Sequence, residues 1–392
     1  MKICLIVDDY MPNSIKVAAK MMHELAVEFY SNGHEVTVFT PDPNIIKKFD
    51  ILVLDNIKIC RFKTGQIKNT GKVKRAINET LLSYNAWSTY KEFIKDNKHD
   101  LIVYYSPTIF FGPLVNKLKK EWRASSYLIL RDIFPQWAID NGIIKENSII
   151  SRYFKYFEML NYKSADKIGL MSPKNLEWFN EKYDLNYKTE VLYNWASNTP
   201  TIITENVFRK KYHLEDKVIY FYGGNIGHAQ DMMNIVRLAI SMSKHSEAHF
   251  VIVGAGDEVE LIQKAIIQNK MNNLTLLPSV TQEEYKLILA EIDVGLFTLH
   301  YDHKTHNFPG KLLGYMCESK PILGSINPDN DLKKIIEDNN AGLIEINGED
   351  EKLYNNAVKL LYKVTRTKEG QNAKKLLENL FSIKSVVSKL LM

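Results

Sequence analysis

The sequence predicts an α/β chain built as two consecutive doubly wound, Rossmann-like domains, and three observations carry that expectation. Short apolar runs alternate with helix-length amphipathic segments almost throughout, the pattern of parallel strands covered by helices. The 392 residues are too many for one ordinary core. The alternation lapses once, over the polar stretch SNTPTIITENVFRKKYHLED (residues 197–216), and then resumes as a second set. The expected domains are residues 1–196 and 197–392. Ligands in such sheets bind beyond the carboxyl ends of the strands, so the cleft between the domains is the expected binding place.

In the first half KICLIV reads as a strand, Ser14 to Ser31 as a helix capped by Ser14, and NGHEVTVFT as a turn and strand. Asn32 and Gly33 stop that helix, because both tolerate a left-handed backbone. A basic loop follows, then a long helix from about Val73 to Asp96 and the strand DLIVYY. The half closes with a helix from Ile109 to Trp122, the strand SYLIL, two helices between Pro135 and Lys163, the strand KIGLM, a helix from Pro173 to Lys182 and the strand EVLYN. In the second half KVIYFYGG, HFVIVGAG, NLTLL, VGLFTL, KPILGS and AGLIEI read as strands with helices between them. Only helices follow from about Asp350, and the last, about residues 380–392, is expected to cross back to the N-terminal domain.

With 45% hydrophobic and 25% charged residues the composition is that of a soluble globular protein. The opening MKICLIVDD is too short for a signal-peptide apolar region, and the apolar stretch Leu101 to Val115 is broken by Pro107 and Pro113. Cys4, Cys60 and Cys317 are odd in number and far apart, as expected of reduced packing residues in a cytosolic protein. The net charge of +5 is uneven: residues 1–196 hold 28 Lys and Arg against 22 Asp and Glu. From Lys58 to Arg75 there are seven basic residues and no acidic one, and Leu81, Leu82, Tyr84 and Trp87 follow. A basic loop leading into such a helix suits an anionic membrane surface, and equally a solvated loop before a core helix. No nucleic-acid reader motif is present, so nucleic acid is not an expected partner.

The strongest local signal is FYGGNIGHAQDMMNIV, where a strand runs into Gly223 and Gly224, Gly227 follows, and a helix starts near His228. Glycines there let main chain approach an anion closely. The G-G-x-x-G spacing is neither the dinucleotide fingerprint nor a Walker loop. VGAGDEVELI repeats the design, but Asp257 and Glu258 at its helix start would repel a phosphate. About eighty residues on, HNFPGKLLGYMCESKPILGS opens a helix with Pro309, Gly310 and Lys311, a second start suited to an anion. Together the two turns suit a diphosphate gripped from two sides. In the first domain Asp132 follows the strand SYLIL with Arg131 beside it; a carboxylate there could accept a proton from an acceptor hydroxyl, and the two residues equally suit a structural ion pair. Asp9, Tyr10 and Lys16 follow the first strand and are candidates, with Arg131, for contacts on the acceptor side, or in the case of the first three with the donor phosphate.

GHEVTVFT, VIVGAGDEVELI and GKLLGYMCESKPIL, in that order, resemble the landmarks of the GT-B fold, specifically the retaining glycosyltransferases of family 4. DDYMPNSIKVAAKMM, RDIFPQW, GGNIGHAQD and NFPGKLLGYM are similar to the bacterial branch that builds O-antigen and capsule repeat units, including N-acetyl-L-fucosamine transferases. The resemblance implies transfer of a sugar, N-acetyl-L-fucosamine or a related HexNAc, from a UDP-sugar to a lipid-linked saccharide at the inner face of the cytoplasmic membrane. It implies retained anomeric configuration, no metal and no cofactor beyond the donor. Where the family carries an Arg and a Lys on the diphosphate, this chain has Asn225 and Gln230; where it carries two glutamates, this chain has His306 and Gly314. Either the copy is inactive, or Lys311, with Lys304 and the amides of Gly224, Gly227 and Gly310, replaces the lost charges; the second is the expectation adopted. It makes Asp132, His306 and Lys311 the catalytic candidates. The donor grip would be Gly223, Gly224, Asn225, Gly227, Gln230, Pro309, Gly310, Lys311 and Gly314, with Glu318 a substitute carboxylate. A UDP-sugar 2-epimerase of the same fold and a non-catalytic nucleotide-sugar-binding subunit are the alternatives.

Overall fold

The structure is a computed structural model that describes residues 1–14, 16–67, 70–140, 142–183, 187–302, 310–328 and 330–392. The chain divides into two compact units, Met1–Tyr193 with Val386–Met392, and Asn194–Ser385.

The first unit is built on an eight-stranded sheet. Its strands are β1 (Lys2–Ile6), β2 (Glu35–Asp42), β3 (Phe49–Leu54), β4 (Ile57–Lys63), β5 (Leu101–Ser106), β6 (Ser125–Leu130), β7 (Lys167–Leu170) and β8 (Thr189–Val191). They lie in the order β3-β4-β2-β1-β5-β6-β7-β8, all parallel except the edge strand β3. In the central strand β1, Ile3 pairs with Val36 on one side and Leu101 on the other. Both its faces are covered, so an unbroken apolar run is what this position requires. One large aromatic and aliphatic core, including Phe39, Tyr90, Tyr104, Leu114 and Leu118, fills the space between the sheet and its helices.

Two local outcomes differ from the sequence reading. Part of the basic run is not a loop: β4 pairs parallel with β2 and antiparallel with β3. Asp55 and Asn56 close the β3–β4 hairpin with φ of 49° and 63°, the left-handed pair that a two-residue turn demands. The first helix begins at Val17 without a side-chain cap, since the Ser14 hydroxyl donates to Asp9 Oδ2 (2.9 Å) and accepts from Lys16 N (3.3 Å). Its other end is as expected, with Asn32 as cap and Gly33 at φ 82°.

The second unit has a wholly parallel six-stranded sheet of β9 (Val218–Asn225), β10 (Ala248–Ala255), β11 (Leu274–Leu277), β12 (Val294–Thr298), β13 (Ile322–Ile326) and β14 (Gly342–Ile346). The order is β11-β10-β9-β12-β13-β14. Strand order reverses between β9 and β12 here, and between β1 and β5 in the first unit. At such a reversal the flanking loops diverge to opposite faces and leave a crevice at the strands' carboxyl ends. Cys4, Cys60 and Cys317 are buried free thiols. Among the described residues no helix is long and apolar enough to cross a membrane.

Candidate functional site

The carboxyl end of β9 lies on the reversal of the second sheet, and there the glycine turn and Lys311 come together. Gly224 has φ 135°, a conformation that disfavours a side chain. The Lys311 ammonium passes 3.3 Å from where a Gly224 Cβ would be and sits over the Tyr222 ring, 3.6 Å from its centroid. Burial pushes the Lys311 pKa down to about 7. Among the described residues no carboxylate pairs with it. A largely buried cation with no counter-ion among the described residues, held on an aromatic face, is a place that favours an anion.

The neighbouring groups hold this arrangement in place. Tyr222 donates its hydroxyl to the Asn225 carbonyl (2.6 Å), so one side chain positions both the ammonium and the turn. Tyr315 is fully buried on the Gly310–Cys317 helix, donates to the carbonyls of Phe221 (3.3 Å) and Leu296 (3.2 Å), and accepts from Gly223 N (3.4 Å). It thereby ties the helix carrying Lys311 to β9 and β12. Gly223 lies against the Tyr285 ring, and a side chain there would overlap it. Gly254 is more restricted still, because a Cβ would overlap the carbonyl oxygen of Gly224, its partner across β9 and β10. Gly254→Ala must therefore move the Gly224 turn; we expect a loss of roughly 1–3 kcal/mol of stability together with weaker nucleotide binding, read by thermal melts and titration calorimetry.

The other candidates on this turn have plain placements. Asn225 donates its side-chain amide to Gln230 Oε1 (2.7 Å), so these two uncharged groups clasp one another. A Cβ on Gly227 would lie 2.8 Å from Asn225 Nδ2, which leaves the clasp room only beside glycine. Gly310 is exposed at the helix start. Gly314 faces Leu289 of the Gln282–Glu291 helix, and Glu318 accepts from the backbone N–H of Thr201 (2.9 Å). His306, Pro309 and Lys304 lie outside the described residues.

In the first unit a cavity of about 350 Å³ opens at the carboxyl ends of β1, β2 and β4, lined among others by Asp9, Tyr10, Lys16, Thr40, Asp42 and Arg61. Arg61 pairs with Asp42 (3.0 Å) and Asp50, and Asn13 donates to Asp42 (2.9 Å). Lys16 lies 3.9 Å from Asp9. The Tyr10 hydroxyl is turned inward onto His23 Nδ1 (3.0 Å), whose Nε2 meets Asp55 (2.9 Å). At the end of β6, Arg131 gives its guanidinium to the carbonyls of Leu130, Gly169 and Tyr193, at 3.3, 3.4 and 3.1 Å. Asp132 accepts a hydrogen bond from the Trp137 indole, and burial pushes its pKa up to about 6 against the opposing influence of that bond and of the Arg75 charge. A carboxyl group titrating there can serve as a base near neutral pH.

Sequence reading missed Tyr222 and the Asp42–Arg61 floor of the cavity. Strand alternation in YFYGG put Tyr220 and Tyr222 on one face, a signal that was available. Arg61 was masked by its charged neighbours, although ILVLDNIKICRF carries the alternation and two-residue turn of a hairpin.

Residues 216–363, which lie within the second unit, match the family described as Glycosyl transferases group 1. A curated relative, the probable glycosyltransferase WbjE of Pseudomonas aeruginosa, is 25% identical over 218 residues, 55% of this chain and 54% of that protein. The chain thus spans about half the length of the curated relative it matches. Among solved structures, WaaG, a glycosyltransferase involved in lipopolysaccharide biosynthesis, superposes with a TM-score of 0.62 at 13% identity over 99% of this chain and 98% of that one. Anabaena Alr3699/HepE in complex with UDP gives 0.66 at 14% identity over 100% and 98%. At such identities the likeness shows the fold, two Rossmann-like units of the GT-B type.

Proposed function

We propose that this chain is a glycosyltransferase that takes a sugar from a UDP-sugar and passes it, with retained configuration and without a metal, to a lipid-linked saccharide in surface-polysaccharide assembly. The observation that carries the reading is the buried Lys311 ammonium, unpaired among the described residues and held against Gly224 on the Tyr222 ring, within the stretch that matches the group 1 family. A diphosphate would supply a counter-charge that no described residue offers this cation. As the bond from the anomeric carbon to the diphosphate breaks, negative charge grows on the departing oxygen, and a cation fixed beforehand in a poorly solvated place stabilises it most at that moment. The acceptor oxygen forms the new bond to the anomeric carbon and releases its proton, for which Asp132 is the proposed base. N-acetyl-L-fucosamine or a related HexNAc is the proposed sugar, and peripheral attachment to the inner face of the cytoplasmic membrane the proposed location. WbjE and the UDP-bound Alr3699/HepE support the direction of this reading.

Calorimetric titration with a panel of nucleoside diphosphates, followed by UDP-sugars, tests it. UDP is expected to bind most tightly and the UDP-sugar to be consumed only when acceptor is present. Binding without turnover over a broad acceptor panel would leave a nucleotide-sugar-binding subunit, and release of an epimerised nucleotide sugar without acceptor would make the chain an epimerase.

A further inference from the structure

The helix Lys72–Thr80 of the first unit buries none of its residues, although Val73 and Ile77 are apolar and 76% and 56% exposed. Leu81, helical in its own φ and ψ, joins it to the helix Leu82–Asp96, on which Tyr84 is 65% exposed. Spacings of four and seven put Val73, Ile77 and Tyr84 on one stripe. Lys72 and Lys74 lie one residue either side of Val73 and so flank that stripe, while the one acid of the helix, Glu79, is paired with Arg75 at 2.9 Å. A second stripe runs beside it. On the helix Ile149–Lys163, Ile149, Tyr153 and Tyr156 recur at four and three residues and are 86%, 39% and 61% exposed. The hydroxyls of Tyr153 and Thr80 hydrogen-bond, which sets the two helices side by side. Arg152 flanks the second stripe as the lysines flank the first.

Aromatic contacts connect the second stripe to the end of β6. Tyr153 packs against Phe154 and Phe157, and Phe154 packs against Phe134, whose ring meets Trp137 at 6.0 Å. Trp137 hydrogen-bonds to Asp132, and Arg75 is near enough to act on the same carboxylate. The patch therefore reaches from bare amphipathic helices to the proposed base. Exposed apolar side chains on two adjacent helices, set between lysines and arginines, match the boundary of an anionic bilayer, with hydrocarbon beneath and phosphate at the rim.

We infer that this face, carrying Val73, Ile77 and Tyr84 beside Ile149, Tyr153 and Tyr156, lies on an anionic lipid bilayer and brings a membrane-held acceptor to Asp132. The inference deepens the proposed use of a lipid-linked acceptor and rests on it for the choice of partner.

Co-sedimentation of the full chain, without nucleotide, with vesicles of phosphatidylcholine alone or mixed with phosphatidylglycerol tests it. The parent is expected to bind the mixed vesicles and to be released by salt. Ile77→Glu combined with Ile149→Glu is expected to weaken binding about tenfold or more, and Lys72→Glu combined with Lys74→Glu to do the same. Val364→Glu, an equally exposed apolar position of the second unit, is expected to bind as the parent does. Failure to bind, equal binding to both vesicle types, or equal losses in Val364→Glu would overturn the inference. So would a self-association of the protein abolished by the same Ile77 and Ile149 changes, since the face would then be an interface between protein copies. UDP titrated into the same variants keeps the two ideas apart: retained UDP binding with no vesicle binding sinks the surface alone, and vesicle binding with no UDP binding sinks the proposed enzyme alone.

Discussion

Lys311→Met is expected to weaken UDP binding roughly 10- to 100-fold and, in the same protein, to raise the melting temperature of the nucleotide-free form. Both effects follow from one placement. The ammonium is desolvated beside Gly224 and over the Tyr222 ring, and burial holds its pKa at about 7 instead of the ordinary 10.5. A charge-assisted contact to a phosphate contributes about 1.5–3 kcal/mol, which sets the expected loss in affinity. The stability effect has the opposite sign. A lysine whose pKa is lower in the folded chain opposes folding, fully below the folded value and progressively less as pH rises toward the unfolded one. Methionine keeps the length and the contact with Tyr222 without the charge. The gain should be on the order of 2 kcal/mol at neutral pH or below, worth about 5 °C for a unit of this size, and should shrink in melts run at about pH 9. Calorimetry and thermal melts on one preparation check both halves. Parental UDP affinity in Lys311→Met would remove the proposed grip on the diphosphate.

The same lysine predicts how donor affinity responds to pH. A UDP-sugar keeps its two diphosphate charges across the neutral range, so the protein alone supplies the titrating group. Below about pH 7 Lys311 is already charged and affinity should be level. Above it, binding must draw a proton onto the lysine, and affinity should fall by up to about tenfold per pH unit, with proton uptake visible as a buffer-dependent binding enthalpy.

Much of this is legible in the sequence. The unbroken apolar runs of β1, β9 and β10 say that both faces are covered, and the Gly223–Gly224 pair at the end of β9 marks a place where main chain is left bare. Other features could not be read because the deciding contact is not local. Lys311 looks like any surface-helix lysine until Tyr315 ties its helix against Phe221 and Leu296, ninety-odd and nineteen residues away in sequence. Asn225 and Gln230 stand where the resembling family has cations, and only the fold reveals that they bond each other across Gly227. Arg131 and Asp132 are adjacent in sequence and were candidates for an ion pair. The structure gives Arg131 to three carbonyls, those of Gly169 and Tyr193 on other segments of the chain, and Asp132 to Trp137, pairings that leave no trace in the local sequence.

Asp132→Asn is expected to lower the transfer rate by about 10²–10⁴-fold while leaving UDP affinity within about twofold of the parent. The carboxyl group is largely buried, and its pKa of about 6 puts its titration where a base for an alcohol must work. The sign can be worked out for rate and stability separately. Transfer needs the carboxylate, so the parent's rate should fall about tenfold per pH unit below about pH 6 and level off above it. Folding, by contrast, is opposed by the buried charge above the unfolded carboxyl value, so asparagine, which keeps the shape and loses the charge, should not lower the melting temperature near neutral pH. Trp137→Phe separates a base from a bystander. Removing the indole donor takes away one of the two influences that oppose burial, so the acid limb of the rate profile should move to higher pH with the plateau rate little changed. A structural role for Asp132 would leave that limb where it was and would instead lower the melting temperature. An Asp132→Asn variant that transfers sugar at the parental rate would assign the proton to another acceptor and leave the carboxylate no part in the chemistry.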